Sequence, residues 1–173
     1  NGQFVGYSED SKLECEFDVT PYLLPGKSNL IAFQVYRWCD GTYLEDQDKF
    51  RLSGIFRDVY LLSRPEKRIE EYRITAEPDS GFSNGNFKIT IQGAGARIRL
   101  FDGDSLLCES NVADGATFEH TIEDVKLWSA EDPYLYRLEI ETDSEIIGEK
   151  VGFRKVSIDD GILKLNGEHI KID

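Results

Sequence analysis

Methionine is missing from the 173 residues, histidine occurs twice and cysteine three times. Each shortage removes a class of chemistry. Cys15, Cys39 and Cys108 are odd in number and widely spaced, so they imply neither a disulfide framework nor a zinc site. They are read as free, mostly buried thiols. His120 falls on the apolar side of an alternating run and is read as a core or hydrogen-bonded residue, and His169 beside a turn as exposed. No His-Glu-x-x-His, no Gly-x-Ser-x-Gly elbow and no glycine-rich phosphate loop occurs. Nor is there an apolar run of about 18 residues, the length a membrane-crossing helix needs. Basic residues are few: 20 against 33 acidic, a net charge of −13. Nucleic acid and anionic membranes recruit basic patches, so neither is expected as a partner. The acidity reads as solubility. The opening Asn1-Gly2-Gln3-Phe4 lacks the basic and apolar segments of a signal peptide and an initiator Met, so the start is read as a cut or processing site.

What is present is strand patterning. Residues 13–20 alternate apolar and polar at every step, which puts one face into a core and the other into water. Residues 21–28 hold two prolines and a glycine and read as a turn or short loop. Residues 29–38 form a near-continuous apolar and β-branched run, the signature of a buried strand, and residues 55–62 give a third. Between them, residues 40–50 form a long acidic loop, the place where function tends to sit on a β scaffold.

Pro65 cannot continue a central strand, and three charges follow within residues 66–69, so a domain junction is placed there. Beyond it the pattern restarts. Phe87, Ile89 and Ile91 alternate with polar residues, as do Ile98 and Leu100, then Phe118, His120 and Ile122, then Tyr136, Leu138 and Ile140. Asn84-Gly85, Asp102-Gly103 and Asp114-Gly115 supply residues that tolerate positive φ between these runs. Short strands punctuated in this way predict a β-sandwich of immunoglobulin size, without the Cys–Trp–Cys pattern of antibodies. The tail from Gly161 reads as a hairpin turned at Asn166-Gly167. No segment carries sustained helical periodicity.

The acidic loop leaves two readings open. Glu45, Asp46 and Asp48 could offer oxygens to a hard cation, or pair with Arg37, Arg51 and Arg57 in bidentate contacts. Their spacing does not separate a pair of catalytic carboxylates from a structural ion-pair network.

The stretch Arg37-Trp38-Cys39-Asp40-Gly41-Thr42-Tyr43-Leu44-Glu45-Asp46-Gln47-Asp48, continued by Arg51-Leu52-Ser53-Gly54-Ile55-Phe56-Arg57-Asp58-Val59, strongly resembles the end of the sugar-binding domain of glycoside hydrolase family 2, and within it the large lactose-cleaving β-galactosidases. Asn1-Gly2-Gln3-Phe4-Val5-Gly6-Tyr7-Ser8 and Glu16-Phe17-Asp18-Val19-Thr20 fit the same domain. Leu127-Trp128-Ser129-Ala130-Glu131-Asp132-Pro133-Tyr134-Leu135-Tyr136 is similar to the stretch closing the family's immunoglobulin-like domain. Gly152-Phe153-Arg154 and Leu165-Asn166-Gly167 resemble the strand and hairpin that lead into its catalytic barrel.

The resemblance implies an all-β piece with three parts. These are the C-terminal part of a sugar-binding jelly roll (1–64), an immunoglobulin-like sandwich (65–158) and a hairpin (159–173) leading into a TIM barrel that the chain does not include. It implies a retaining β-galactosidase acting on terminal β-D-galactosides, with its acid/base and nucleophile glutamates on that barrel. The fragment itself would hold no catalytic residue and be inactive alone. Asp40 matches the family aspartate that contacts galactosyl hydroxyls and a sodium ion. Substrate binding and a metal contact are therefore assigned to Asp40, with magnesium reserved for the barrel. Glu45, Asp46, Asp48, Arg51 and Arg57 are assigned to holding the loop, and Trp38 to the core rather than to a sugar platform. The implied partners are a β-galactoside and the barrel of the same polypeptide. A second copy of the chain could cover the apolar faces of a half jelly roll. The rival readings are a free-standing carbohydrate-binding module and a fragment of a β-glucuronidase or β-mannosidase.

Overall fold

The computed structural model describes residues 1–9, 13–44 and 54–170. It divides into two compact units, Asn1–Leu61 and Leu62–Asp173.

The second unit is an antiparallel sandwich. One sheet holds β1 (Glu71–Pro78), β2 (Gly85–Gln92) and β5 (Thr117–Ile122) in the order β1-β2-β5. The other holds β3 (Ala96–Asp102), β4 (Ser105–Val112), β6 (Tyr136–Glu141) and β7 (Ile146–Val151) in the order β4-β3-β6-β7. Alternation builds the interior. Phe87, Ile89 and Ile91 of β2 and Ile98 and Leu100 of β3 turn inward with Leu138 and Ile140 of β6, each at most 1% exposed. Tyr136 and Phe153 close one end edge to face, their ring centroids 5.2 Å apart.

Two polar straps also hold this unit. Arg64 Nη2 donates to both carboxylate oxygens of Glu145 at 2.8 Å, and the Ile69 amide donates to Glu145 Oε1 at 2.8 Å. Tyr72 on β1 donates its hydroxyl to Glu149 on β7 at 2.5 Å, linking the two sheets. A third sheet, β8 (Val156–Asp159), β9 (Ile162–Leu165) and β10 (Glu168–His169), is a meander with tight turns at Asp160-Gly161 and Asn166-Gly167. Both residues of each turn have positive φ, between 50° and 82°, as a type I′ turn requires. Asn166 Oδ1 accepts the Lys155 amide at 2.8 Å, and its Nδ2 donates to the Trp128 carbonyl at 3.0 Å, fastening the meander to the sandwich.

In the first unit the loop expected at 21–28 forms a 3-10 turn, Thr20–Tyr22, followed by a bend with Gly26 at φ 70°. Asn29 braces this bend through the Leu24 amide at 2.8 Å and the Lys27 carbonyl at 3.0 Å. A single-turn helix, α1, spans Gly41–Leu44.

The all-β class holds, with four local differences. First, the runs at 13–20, 29–38 and 55–62 show no ladder pairing among the described residues. A period of two fixes which face a segment would bury, but a ladder also needs a neighbouring strand. Second, Trp38, expected in the core, is 54% exposed, and its ring carries the Arg37 guanidinium at 5.2 Å. Third, His120 is exposed, because β5 lies at the edge of its sheet, and it stacks on Phe118. Fourth, of the thiols only Cys108 is buried; Cys39 is half-buried and Cys15 exposed.

Candidate functional site

Asp40 lies immediately before α1. The local sequence makes a compact turn there. The Cys39 amide donates to Thr42 Oγ1 at 3.0 Å, the Thr42 amide returns to the Cys39 carbonyl at 3.0 Å, and the Tyr43 amide reaches the Asp40 carbonyl at 3.2 Å. Thr42 is the buried member of the turn and Asp40 is exposed. A short polar side chain followed by glycine suits such a chain reversal.

The Asp40 amide is held from elsewhere in the sequence. It donates to Glu9 Oε1 at 2.9 Å, while the Tyr7 hydroxyl donates to Glu9 Oε2 at 2.8 Å. The Tyr7 hydrogen bond, followed by that of the Asp40 amide, holds the Glu9 carboxyl below its usual range, and the same contact pushes the Tyr7 phenol up. Sequence reasoning missed Glu9. No periodicity or motif spacing joins it to a residue 31 positions away.

Arg57 lies over the Phe56 ring at 5.3 Å. Glu45, Asp46, Asp48 and Arg51 lie outside the described residues. Among the described residues no group of three or more His, Cys, Asp or Glu side chains could hold a metal ion. Asp40 has the hard oxygen donors a sodium ion prefers, but a single carboxylate is not a donor set. Asp40 would supply one oxygen ligand, and no further carboxylate set for it occurs among the described residues.

The second unit carries a separate polar cluster. Lys126 Nζ donates to Asp102 Oδ2 and to the Tyr134 hydroxyl, each at 2.9 Å, and Tyr134 in turn donates to Asp102. The Tyr134 bond and then Lys126 lower the Asp102 pKa, and the same contacts raise that of Lys126. The Lys126 amide donates to the Tyr136 hydroxyl at 2.8 Å. Every member has a partner within the cluster, which ties the 126–134 segment to the end of β3.

Two family profiles cover nearly the whole chain. The sugar binding domain of glycosyl hydrolases family 2 matches residues 1–65, and a second profile, glycosyl hydrolases family 2, matches residues 67–154. The chain belongs to glycosyl hydrolases family 2. The family 2 chain is 43% identical over 175 residues to a β-galactosidase of Actinobacillus pleuropneumoniae, covering 99% of this chain and 17% of that protein. It is 42% identical over 198 residues to a β-galactosidase of Vibrio vulnificus strain CMCP6, covering 99% and 19%. The chain thus spans less than a fifth of the length of these relatives. Among solved structures, a β-glucuronidase of Ruminococcus gnavus aligns with a TM-score of 0.52 at 22% identity over 61% of this chain and 19% of that one. A β-glucuronidase from an uncultured Clostridium sp. gives 0.52 at 20% identity over 58% and 18%. At that identity the likeness is one of fold.

Proposed function

We propose that this family 2 chain is a non-catalytic part of a retaining β-galactosidase that hydrolyses terminal β-D-galactosides, and that Asp40 helps hold the galactosyl group. The supporting observation is the likeness, over 99% of the chain, to proteins named β-galactosidase at 43% and 42% identity. The geometry suits the role. Asp40 is exposed on a turn whose amides are already satisfied, so its carboxylate is available to accept hydrogen bonds from sugar hydroxyls. Those hydroxyls are well hydrated in solution, and a charged acceptor replaces their water bonds at a gain where a neutral one would barely break even. The bond itself is broken by two carboxylates outside this chain, one protonating the leaving oxygen and one attacking the anomeric carbon. Correct seating of the sugar between them is what Asp40 contributes. The same reading divides the chain at 64 and 158 into jelly-roll part, immunoglobulin-like sandwich and connecting hairpin. Any bound sodium would draw its other oxygens from elsewhere in the intact protein.

The test is kinetic. In the intact enzyme, Asp40→Ala should lower kcat/KM for an aryl β-galactoside by about 100-fold, roughly 2.7 kcal/mol of transition-state stabilisation. Parent-like kinetics would remove the assignment.

A further inference from the structure

We propose that Glu9 is a positioning residue for Asp40, mounting from outside the turn the backbone that carries the sugar-facing carboxylate. The inference rests on the role given to Asp40 above and adds a residue to which nothing so far assigns a part.

Two observations carry it. The first is the economy of the turn. Cys39, Thr42 and Tyr43 all direct their amides within the turn, whereas the Asp40 amide is met by a side chain 31 residues away. A one-turn helix closed by so few internal bonds does not hold its own shape, since the first turn of a helix costs more order than its bonds return. An outside anchor at Asp40, the residue just before it, therefore decides where the turn sits.

The second is that the anchor is itself fixed. One Glu9 oxygen takes the Asp40 amide at 2.9 Å and the other the Tyr7 hydroxyl at 2.8 Å. Tyr7 and Glu9 are two positions apart, so the 7–9 segment and the turn are joined through a single carboxylate. A hydrogen bond from a backbone amide to an ionised oxygen is among the stronger ones available.

Asp40 is exposed while its main chain is held. Glu9 is not assigned a contact with substrate. It acts only by fixing where Asp40 stands.

The experiment uses the intact enzyme with an aryl β-D-galactoside, and compares Glu9→Ala, Glu9→Gln, Asp40→Ala and the double variant Glu9→Ala/Asp40→Ala. Loss of the anchor misplaces the group that orients the sugar, so Glu9→Ala should lower kcat/KM by about tenfold. Glu9→Gln keeps an oxygen that can accept the Asp40 amide and should stay within about twofold of the parent. The double variant should be no slower than Asp40→Ala alone, because Glu9 has nothing left to position. A purely structural Glu9 would instead lower activity by the same factor in both backgrounds, and that result overturns the proposal. So does a slow Asp40→Ala beside a parent-like Glu9→Ala, or a Glu9→Gln as slow as Glu9→Ala. If Asp40→Ala itself kept full activity, the fault would lie with the role of Asp40. Should Glu9→Ala fail to fold, Glu9→Asp takes its place, since it keeps the charge but withdraws the oxygens by one methylene.

Discussion

At Gly85 the backbone runs beneath the Phe153 ring. A β-carbon built there would stand 2.6 Å from that ring and 2.9 Å from Val125 Cγ2. Gly85→Ala should therefore cost about 1–3 kcal/mol through overpacking, read as a lowered midpoint in urea. The sequence placed a turn at Asn84-Gly85 because the dipeptide tolerates positive φ. In the structure positive φ falls on Phe82, at 56°, and Gly85 is there for want of a side chain. Asn166 was legible as a turn residue, whereas its links to Lys155 and Trp128 were not. Asp40 stood out through its motif. Glu9 could be found only once the chain had folded, because the contact depends on two distant segments meeting.

Among the elements, the strands that alternate cleanly are the ones visible in sequence: β2, β3, β5 and β6. β4 and β7 were not, for physical reasons. The register of β4 shifts opposite Leu100 and Phe101, which places Leu106 and Leu107 side by side and breaks the alternation. β7 begins Ile146-Ile147-Gly148 at the edge of its sheet, so its pattern reports one covered face only weakly. The strap between β1 and β7 makes a pH-dependent contribution. Its hydrogen bond to Glu149, with burial, pushes the Tyr72 phenol up from 10.0 to about 12. A raised folded pKa means the fold favours the neutral phenol. Its contribution is thus complete below the ordinary tyrosine value and is lost as pH climbs through the folded one. Urea titrations of the parent and Tyr72→Phe should show a stability gap at neutral pH that narrows between about pH 10 and 12. A gap unchanged over that range would show that the hydroxyl does not favour the folded state.

For the whole molecule, every buried apolar side chain among the described residues belongs to the second unit, from Ile69 to Phe153. The first unit instead exposes Phe4, Leu30, Phe33 and Trp38, each by more than half. Burial of apolar surface is the main source of folding free energy, so the two units should differ in stability. Hydrogen exchange on the isolated chain should find amides in 13–38 less protected than those in 85–112. Equal protection would mean that the first unit gains its stability by other means. On the sandwich some of the charges are paired, such as Arg97 with Glu109 and Arg99 with Glu139 and Glu141. The sandwich was legible from alternation and turn residues together, β4 and β7 excepted. The first unit was legible by resemblance, because among its described residues alternation meets no partner strand.

The meander β8-β9-β10 pairs only near neighbours, Val156 with Leu165 and Glu168 with Leu165, whereas the sandwich must bring Arg97 to Glu141. Closing a short hairpin takes on the order of microseconds, and bringing distant strands together takes far longer. Local hairpins of this kind, with β3-β4 and its pairing of Asp102 to Ser105, can reach their native shape early. They offer ready-made seeds while the distant strands are still searching.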